Sequence, residues 1–338
     1  MAAGAEPGPL WKQAVAETLW GRRGVAKAVH CCMPLGVAAS AGASFPPGRL
    51  WLVCLQVLFV SACWAQAAIL ANDLADRETD AAVGKRRWIW RLRRGSVALL
   101  VAVAVGAGVL VVLAADAGTG PLAAYCAAVV LALLYSIRPV RLKEKGLAGP
   151  FAYAAAAGLA YGVMPCAWLR AGWTVWAAVA PAVSLDKWVN LHFHQVIDYA
   201  GDRDRGTRTL VAAVGPDRAW GTLRWMAVLA SAWLLGATTF AVLRLTTWQG
   251  IAVGCCAASG LAAAAYARAG RRRAGDEAGR LCELPLVYLA SAVSVLRVLP
   301  LVLFVRLAVL DGSMWITAGM VASLVALDSW HMLRYRHE

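Results

Sequence analysis

The sequence predicts an all-α, polytopic membrane protein, and three observations carry that prediction. Hydrophobic residues make up 61% of the 338-residue chain and charged residues only 15%, with a mean hydropathy of +0.61. That balance is too apolar for an ordinary soluble domain. The apolar residues fall in runs long enough to cross a bilayer, which takes about 20 residues of helix. The basic residues behind the net charge of +14 collect between those runs. A nucleic-acid-binding surface would spread them along polar elements, so no nucleic acid is expected as a partner.

Runs of spanning length lie at 25–44, 50–71, 96–115, 120–137, 147–168, 174–197, 219–243, 247–267 and 284–309, and a tenth candidate covers 314–332. Lys27, His30 and Pro34 interrupt the first, which makes it the weakest. The tenth either spans the membrane or lies along its surface. The chain therefore divides into a cytoplasmic N-terminal segment over 1–24, a transmembrane domain over 25–310 and a C-terminal segment over 311–338. No secretory signal is visible, and Leu10 to Trp20 is expected to lie along the membrane surface. The nine cysteines sit in or beside apolar runs without metal-ligand spacing, so they read as reduced packing residues.

The connections alternate in charge. Those at 77–95, 138–145, 199–218 and 268–280 are rich in Arg and Lys, whereas the intervening ones offer little beyond Arg49, Arg170 and Arg244. Under the positive-inside rule, the even-numbered helices end in the cytoplasm. The expected location is the cell membrane, with the basic loops facing the cytoplasm.

At the cytoplasmic end of the second run stands Asn72-Asp73-Leu74-Ala75-Asp76-Arg77-Glu78-Thr79-Asp80. Asn72, Asp76 and Asp80 follow at four-residue steps and Asp73 is three before Asp76, so one helical face carries them all. Two carboxylates about 6 Å apart at an effective dielectric of about 20 oppose each other by roughly 3 kcal/mol. Such a face requires a cation or protonation; a solvated acidic helix end is the bland alternative.

A second acidic stretch follows the sixth run, where Asp198 and Asp202 form a D-x-x-x-D pair after Gln195, with Gly206 and Thr209-Leu210 downstream. Asp186, Asn190, His194 and Asp198 rise toward it at four-residue steps. A charged residue at the bilayer centre costs at least about 2.5–3.5 kcal/mol, so Asp186 and Lys187 are expected to face a polar cavity or partners. The third connection on this side reads Tyr135-Ser136-Ile137-Arg138-Pro139-Val140-Arg141-Leu142-Lys143. Taken alone it is a topology signal.

Together the three loops imply more. Carboxylates hold Mg²⁺ while leaving positions that phosphate oxygens fill, and Arg and Lys bind the remaining phosphate oxygens. Carboxylates cannot take a diphosphate directly, since both are negative, so the metal follows from charge balance. A diphosphate site at the head of a membrane-embedded cavity suits a substrate with an apolar tail, such as a prenyl diphosphate.

These motifs, N-D-x-x-D-x-x-x-D at 72–80, Y-S-x-x-P-x-R-L-K at 135–143 and Q-x-x-D-x-x-x-D with G-x-x-T-L at 195–210, closely resemble those of the UbiA superfamily of intramembrane prenyltransferases. The resemblance runs from about residue 20 to 310. It implies a nine-helix bundle around a central cavity, with Asn72, Asp73, Asp76 and Asp80 serving one Mg²⁺ and Asp198 and Asp202 the other. It also implies that Tyr135 and Lys143 contact the diphosphate. Arg138 and Arg141 are added to that set by position, Gln195 as a substrate contact, and Lys85 in place of an Arg-Pro segment that many members carry after the first motif. Asp76 and Asp198 are the expected catalytic carboxylates, and His194 the nominee for accepting a proton.

The expected activity is Mg²⁺-dependent transfer of a prenyl group to a lipophilic, aromatic or quinone-precursor acceptor. A membrane terpene cyclase and a polyprenyl-phosphate phosphoribosyltransferase would use the same metal–diphosphate site. A lipid-phosphate transporter or scaffold would release no diphosphate. Of the sixteen tryptophans, most read as an interface belt, while Trp64, Trp188 and Trp233 fall deeper in their runs.

Overall fold

The protein is described here as a computed structural model, which describes Pro9, Lys12, Ala14, Phe45 and residues 25–41, 48–82, 87–204, 206–270 and 283–334. The expectations for Leu10 to Trp20, for Lys85 and for the basic stretch 271–280 lie outside these residues. The eight described cysteines are free thiols.

Ten helices account for the ten apolar runs: α1 Val29–Ser40, α2 Leu50–Ala75, α3 Arg94–Ala114, α4 Thr119–Ser136, α5 Ala148–Trp168, α6 Trp173–Ile197, α7 Pro216–Val242, α8 Gln249–Gly270, α9 Leu286–Leu310 and α10 Trp315–Arg334. Seven of them, α2 to α5 and α7 to α9, are long and apolar enough to cross a membrane. The outer faces present large apolar side chains such as Leu99, Leu110, Phe151 and Leu261, which suits lipid and not water. Trp173 and Trp315 are exposed at helix starts, as an interface belt requires.

The run that looks weakest in sequence is the most enclosed. α1 packs against α2, α5, α6, α9 and α10, and residues 31 to 38 are buried throughout despite Pro34. A helix surrounded by other helices need not match the bilayer thickness. α10 is part of the same bundle, packed on α1, α2 and α9, and the Thr317 hydroxyl donates to the Trp51 carbonyl at 3.3 Å.

α5 and α9 each contain one widened π-type turn, Leu159–Val163 and Ser294–Val298. At the first, α5 crosses α6 so closely that a Cβ on Gly162 would stand 2.8 Å from the Ala180 Cα. Gly158 and Gly162 form the small-xxx-small pattern that lets membrane helices approach. This contact fixes α6, the helix carrying Asp186 to Asp198. An apolar groove of ≈ 610 Å³ opens beside it, between α5, α6 and α7, with Leu159, Leu185, Leu229 and Trp233 in its lining. Trp233 is 40% exposed and donates its indole N–H to the Ala177 carbonyl. It therefore belongs to an outer groove, whereas Trp64 is buried edge-on to Tyr161.

Candidate active site

α2 ends at Asp76, whose N–H still bonds the Asn72 carbonyl at 2.9 Å, and the chain continues at once into the short helix Arg77–Ala82. Because the Asp80 N–H bonds the Asp76 carbonyl at 2.8 Å, the four-residue spacing of Asn72, Asp76 and Asp80 survives the break. Two side chains pin this corner to the segment 88–92. The Trp90 indole donates to the Asp73 carbonyl at 3.2 Å, and the Arg77 guanidinium donates to the Trp90 and Leu92 carbonyls. Arg77 thus ties backbone together instead of neutralising the acids beside it. Glu78 pairs with Arg94 at the exposed rim. Asp73 is buried, while Asn72, Asp76 and Asp80 are half-buried.

The loop after α4 closes over this corner. Arg138 precedes a cis Pro139 and is exposed. Three residues on, Arg141 adopts a left-handed backbone (φ 38°), which side-chain-bearing residues adopt only when neighbours enforce it. That turn sends its side chain inward: its guanidinium meets Asp76 at 3.0 Å and Glu144 at 2.7 Å. Lys143 also reaches the Asp76 carboxylate and lies 3.1 Å from the Asn72 side-chain oxygen. The Ser136 hydroxyl approaches the same oxygen at 3.4 Å. Gly149 makes room for this loop, since a Cβ there would come within 3.1 Å of the Lys143 Cα. Burial lowers the Lys143 ammonium below the usual lysine value of 10.5, and the Asp76 carboxylate opposes that shift. Tyr135 is half-buried with its ring 5.7 Å from that of Tyr153.

The third loop joins the second through backbone. Gly146 and Thr209 form a parallel bridge, in which the Gly146 N–H donates to the Arg208 carbonyl at 3.3 Å. Thr209 also caps the short helix Leu210–Val214, its hydroxyl accepting from the Ala212 N–H at 3.3 Å. The threonine of G-x-x-T-L thus has a local structural reason. Asp198 and Asp202 stand one turn apart, the Asp202 N–H bonding the Asp198 carbonyl at 2.9 Å. Asp198 is exposed and Asp202 half-buried. His194 is half-buried with its ring 6.0 Å from Phe193, and Gln195 is buried with its side-chain oxygen lacking a partner among the described residues.

Asn72, Asp76, Arg141 and Lys143 are therefore drawn into one contact network. Asp198 and Asp202 lie at the same end of the bundle, reached through the Gly146–Thr209 bridge. Among the described residues, no group of three or more His, Cys, Asp or Glu side chains is gathered tightly enough to hold a metal. Asp76 and Asn72 still offer oxygen donors of the kind Mg²⁺ takes, with the Asp76 charge balanced by Arg141 and Lys143 and the Asn72 oxygen accepting from Lys143. Sequence reasoning missed Ser136, Glu144 and Trp90. Glu144, three residues after Arg141, was the readable signal.

A separate polar cluster lies deeper. Asp186 accepts from the Tyr288 hydroxyl at 2.9 Å and pairs with Lys187 at 3.0 Å, and Lys187 reaches the His30 ring nitrogens at 3.0 and 3.1 Å. Arg297 pairs with Asp328 of α10 at 2.8 Å, and Lys27 lies 4.0 Å from the same carboxylate. The buried acid and lysine of α6 thus have the partners their cost demands, whereas Asn190 is exposed and makes no such contact. Apart from the Asp186–Lys187 pair itself, the partners Tyr288 and His30 stand more than 100 residues away and carry no local signal.

The profile of the UbiA prenyltransferase family matches residues 29–282. Among solved structures, a UbiA homolog from Archaeoglobus fulgidus bound to DMAPP and Mg²⁺ aligns with a TM-score of 0.53 at 16% identity, covering 68% of this chain and 78% of that one. The Cd²⁺-bound homolog from the same organism gives 0.52 at 14% identity, covering 95% and 100%. A digeranylgeranylglyceryl phosphate synthase gives 0.52 at 15%, covering 85% and 99%. At these identities the likeness is one of fold. Comparison with curated proteins gives no match.

Proposed function

Because the chain belongs to the UbiA prenyltransferase family and is an integral, multi-pass membrane enzyme, we propose that it moves a prenyl group from its diphosphate to a lipophilic, aromatic or quinone-precursor acceptor. The site opens to the cytoplasm, and the membrane is the cell membrane. The observation that carries this reading is the Asn72–Asp76–Lys143–Arg141 network, which joins an oxygen-donor motif to phosphate-binding cations at one end of a membrane bundle.

Asn72, Asp73, Asp76 and Asp80 would hold one Mg²⁺, and Asp198 and Asp202 another. Bound Mg²⁺ would supply charge neutralisation for the departing diphosphate. Lys143 and Arg141 bind phosphate oxygens once released from Asp76, and Tyr135 contacts the same group. Arg138 and Lys85 are further proposed phosphate contacts, and Gln195 contacts substrate. The allylic C–O bond breaks with both electrons leaving on the diphosphate. The acceptor carbon then bonds to the allylic carbon and gives up its proton, with His194 as the proposed recipient.

The test is diphosphate release and product mass by purified protein given geranyl diphosphate, Mg²⁺ and an acceptor panel. Release that requires both Mg²⁺ and an acceptor supports transfer. A cyclic hydrocarbon or alcohol formed without acceptor would instead identify a cyclase.

A further inference from the structure

The groove between α5, α6 and α7 lies away from the diphosphate site and is built into the helices that frame it. Pro181 of α6 has no N–H to give the Ala177 carbonyl one turn earlier. The Trp233 indole of α7 bonds that carbonyl instead, at 3.1 Å, and so stands as one wall of the groove. Leu159 and Val163, at the two ends of the π-type turn in α5, line it as well. The result is an apolar space of ≈ 610 Å³ that opens outward beside Leu229 and Trp233, which are 46% and 40% exposed.

The faces that line the groove lead to two arginines. Along α7, Leu229, Trp233, Gly236 and Phe240 stand at i, i+4, i+7 and i+11, which is one helical face. Arg244 folds back over the last of them: its guanidinium lies 3.6 Å from the Phe240 ring centre and donates to the Phe240 carbonyl at 3.0 Å. Along α6, Ser184, Pro181, Ala177 and Trp173 share a face in the same way, and Trp173 is 79% exposed. Arg170, in the turn between α5 and α6, is exposed on a left-handed backbone (φ 52°). Among the described residues neither arginine has a carboxylate partner. Both stand at the end of the bundle away from Asp76 and Asp198, where Arg49 is the other basic residue of the connections. From Phe240 to Trp233 is seven residues and from Trp173 to Pro181 eight, about 10–12 Å along each axis. A headgroup at the helix ends therefore places a chain at the depth of the groove.

We propose that this groove binds one anionic phospholipid from the leaflet farther from Asp76 and Asp198, with an acyl chain in the groove, the phosphate between Arg170 and Arg244, and Trp173 at headgroup level. Charge complementarity selects this occupant. A second copy docked here about a two-fold axis would bring the same basic end against itself, and like charges facing each other oppose that contact. The proposal is independent of prenyl transfer. Because the groove rests on α6, the helix that carries Asp186 to Asp198, bound lipid stabilises that part of the bundle.

The experiment is native mass spectrometry of the purified full-length protein in neutral detergent, with melting temperature measured alongside. The probes are dioleoylphosphatidylglycerol, dioleoylphosphatidylcholine and glycerol phosphate. The first phosphatidylglycerol should be held at least about fivefold more tightly than phosphatidylcholine and should raise the melting temperature. Glycerol phosphate, which has no chain, should do neither. Joint replacement Arg170→Gln and Arg244→Gln should reduce phosphatidylglycerol binding to the phosphatidylcholine level, whereas Arg218→Gln with Arg224→Gln at the opposite end should leave the preference intact. Ala155→Phe, which fills the groove from α5, should weaken both lipids; should it fail to fold, Leu229→Trp fills the groove from α7 and must do the same. Equal binding of the two lipids, a preference that survives loss of Arg170 and Arg244 or disappears with Arg218 and Arg224, undiminished lipid binding in a folded groove-filled variant, or a dimer that phosphatidylglycerol does not displace would each overturn the proposal.

Discussion

Replacing Asp76 by Asn tests the first site, because it keeps the shape and removes the charge on which two cations converge. Arg141 stands 3.0 Å from the Asp76 carboxylate. At an effective dielectric of about 20 that attraction is roughly 5–6 kcal/mol before desolvation is subtracted. Lys143 adds a second pair, and the side chains of all three residues are at most 16% exposed, so solvent screening is weak. Removing one partner of such a buried pair costs about 3–5 kcal/mol. The Asp76→Asn protein should therefore melt at lower temperature in detergent without ligand. It should lose Mg²⁺-dependent diphosphate release, and it should bind geranyl diphosphate more tightly in the absence of Mg²⁺, since both cations are then free for phosphate. Melting temperature, diphosphate release and titration with and without Mg²⁺ read the three effects. Wild-type release in this variant, or metal-free affinity lower than that of the wild type, would refute the reasoning.

Other outcomes follow from the same geometry. Asp198 is exposed, so Asp198→Ala should change stability by no more than about 0.5 kcal/mol while lowering diphosphate release about 10²–10³-fold; equal loss of both would make it structural. Lys143 has its ammonium lowered below 10.5 by burial, so between that lowered value and 10.5 the unfolded chain binds the extra proton. Its contribution to stability must then rise with pH across that window, and the melting-temperature difference between wild type and Lys143→Met measured from pH 8 upward should move in favour of wild type. Gly162→Ala forces a Cβ to within 2.8 Å of the Ala180 Cα, and thermal denaturation should show a loss of about 1–3 kcal/mol from overpacking.

The ten helices were legible because each is an apolar run, with a basic loop after every second one among the first eight, and seven of them are long and apolar enough to cross a membrane. Less legible was the order of importance among them. Lys27, His30 and Pro34 make α1 look doubtful, yet the helix sits among other helices, and Lys27 and His30 meet Asp328 and Lys187 at its start. The acidic face of Asn72, Asp76 and Asp80 was readable from spacing alone, since helical hydrogen bonding carries that face through the break at Asp76. The choice between Arg138 and Arg141 was not. It depends on a left-handed residue at 141 that no glycine announces. The partners of Asp186 and Lys187 were hidden for a different reason: Tyr288 and His30 are 102 and 157 residues away, and pairing at such separation leaves no periodic trace.

Central to the account is that Asp76 and Asp198 bring a metal-bound prenyl diphosphate to reaction at the cytoplasmic face of this bundle. The most direct measurement is diphosphate release by purified wild-type protein, Asp76→Asn and Asp198→Ala, each given geranyl diphosphate and an acceptor panel with Mg²⁺ or with chelator. The account predicts full release and a prenylated product only from the wild type with Mg²⁺, with release at least about 10²-fold lower in either variant. Release that persists in chelator, or that is undiminished in either variant, would contradict it.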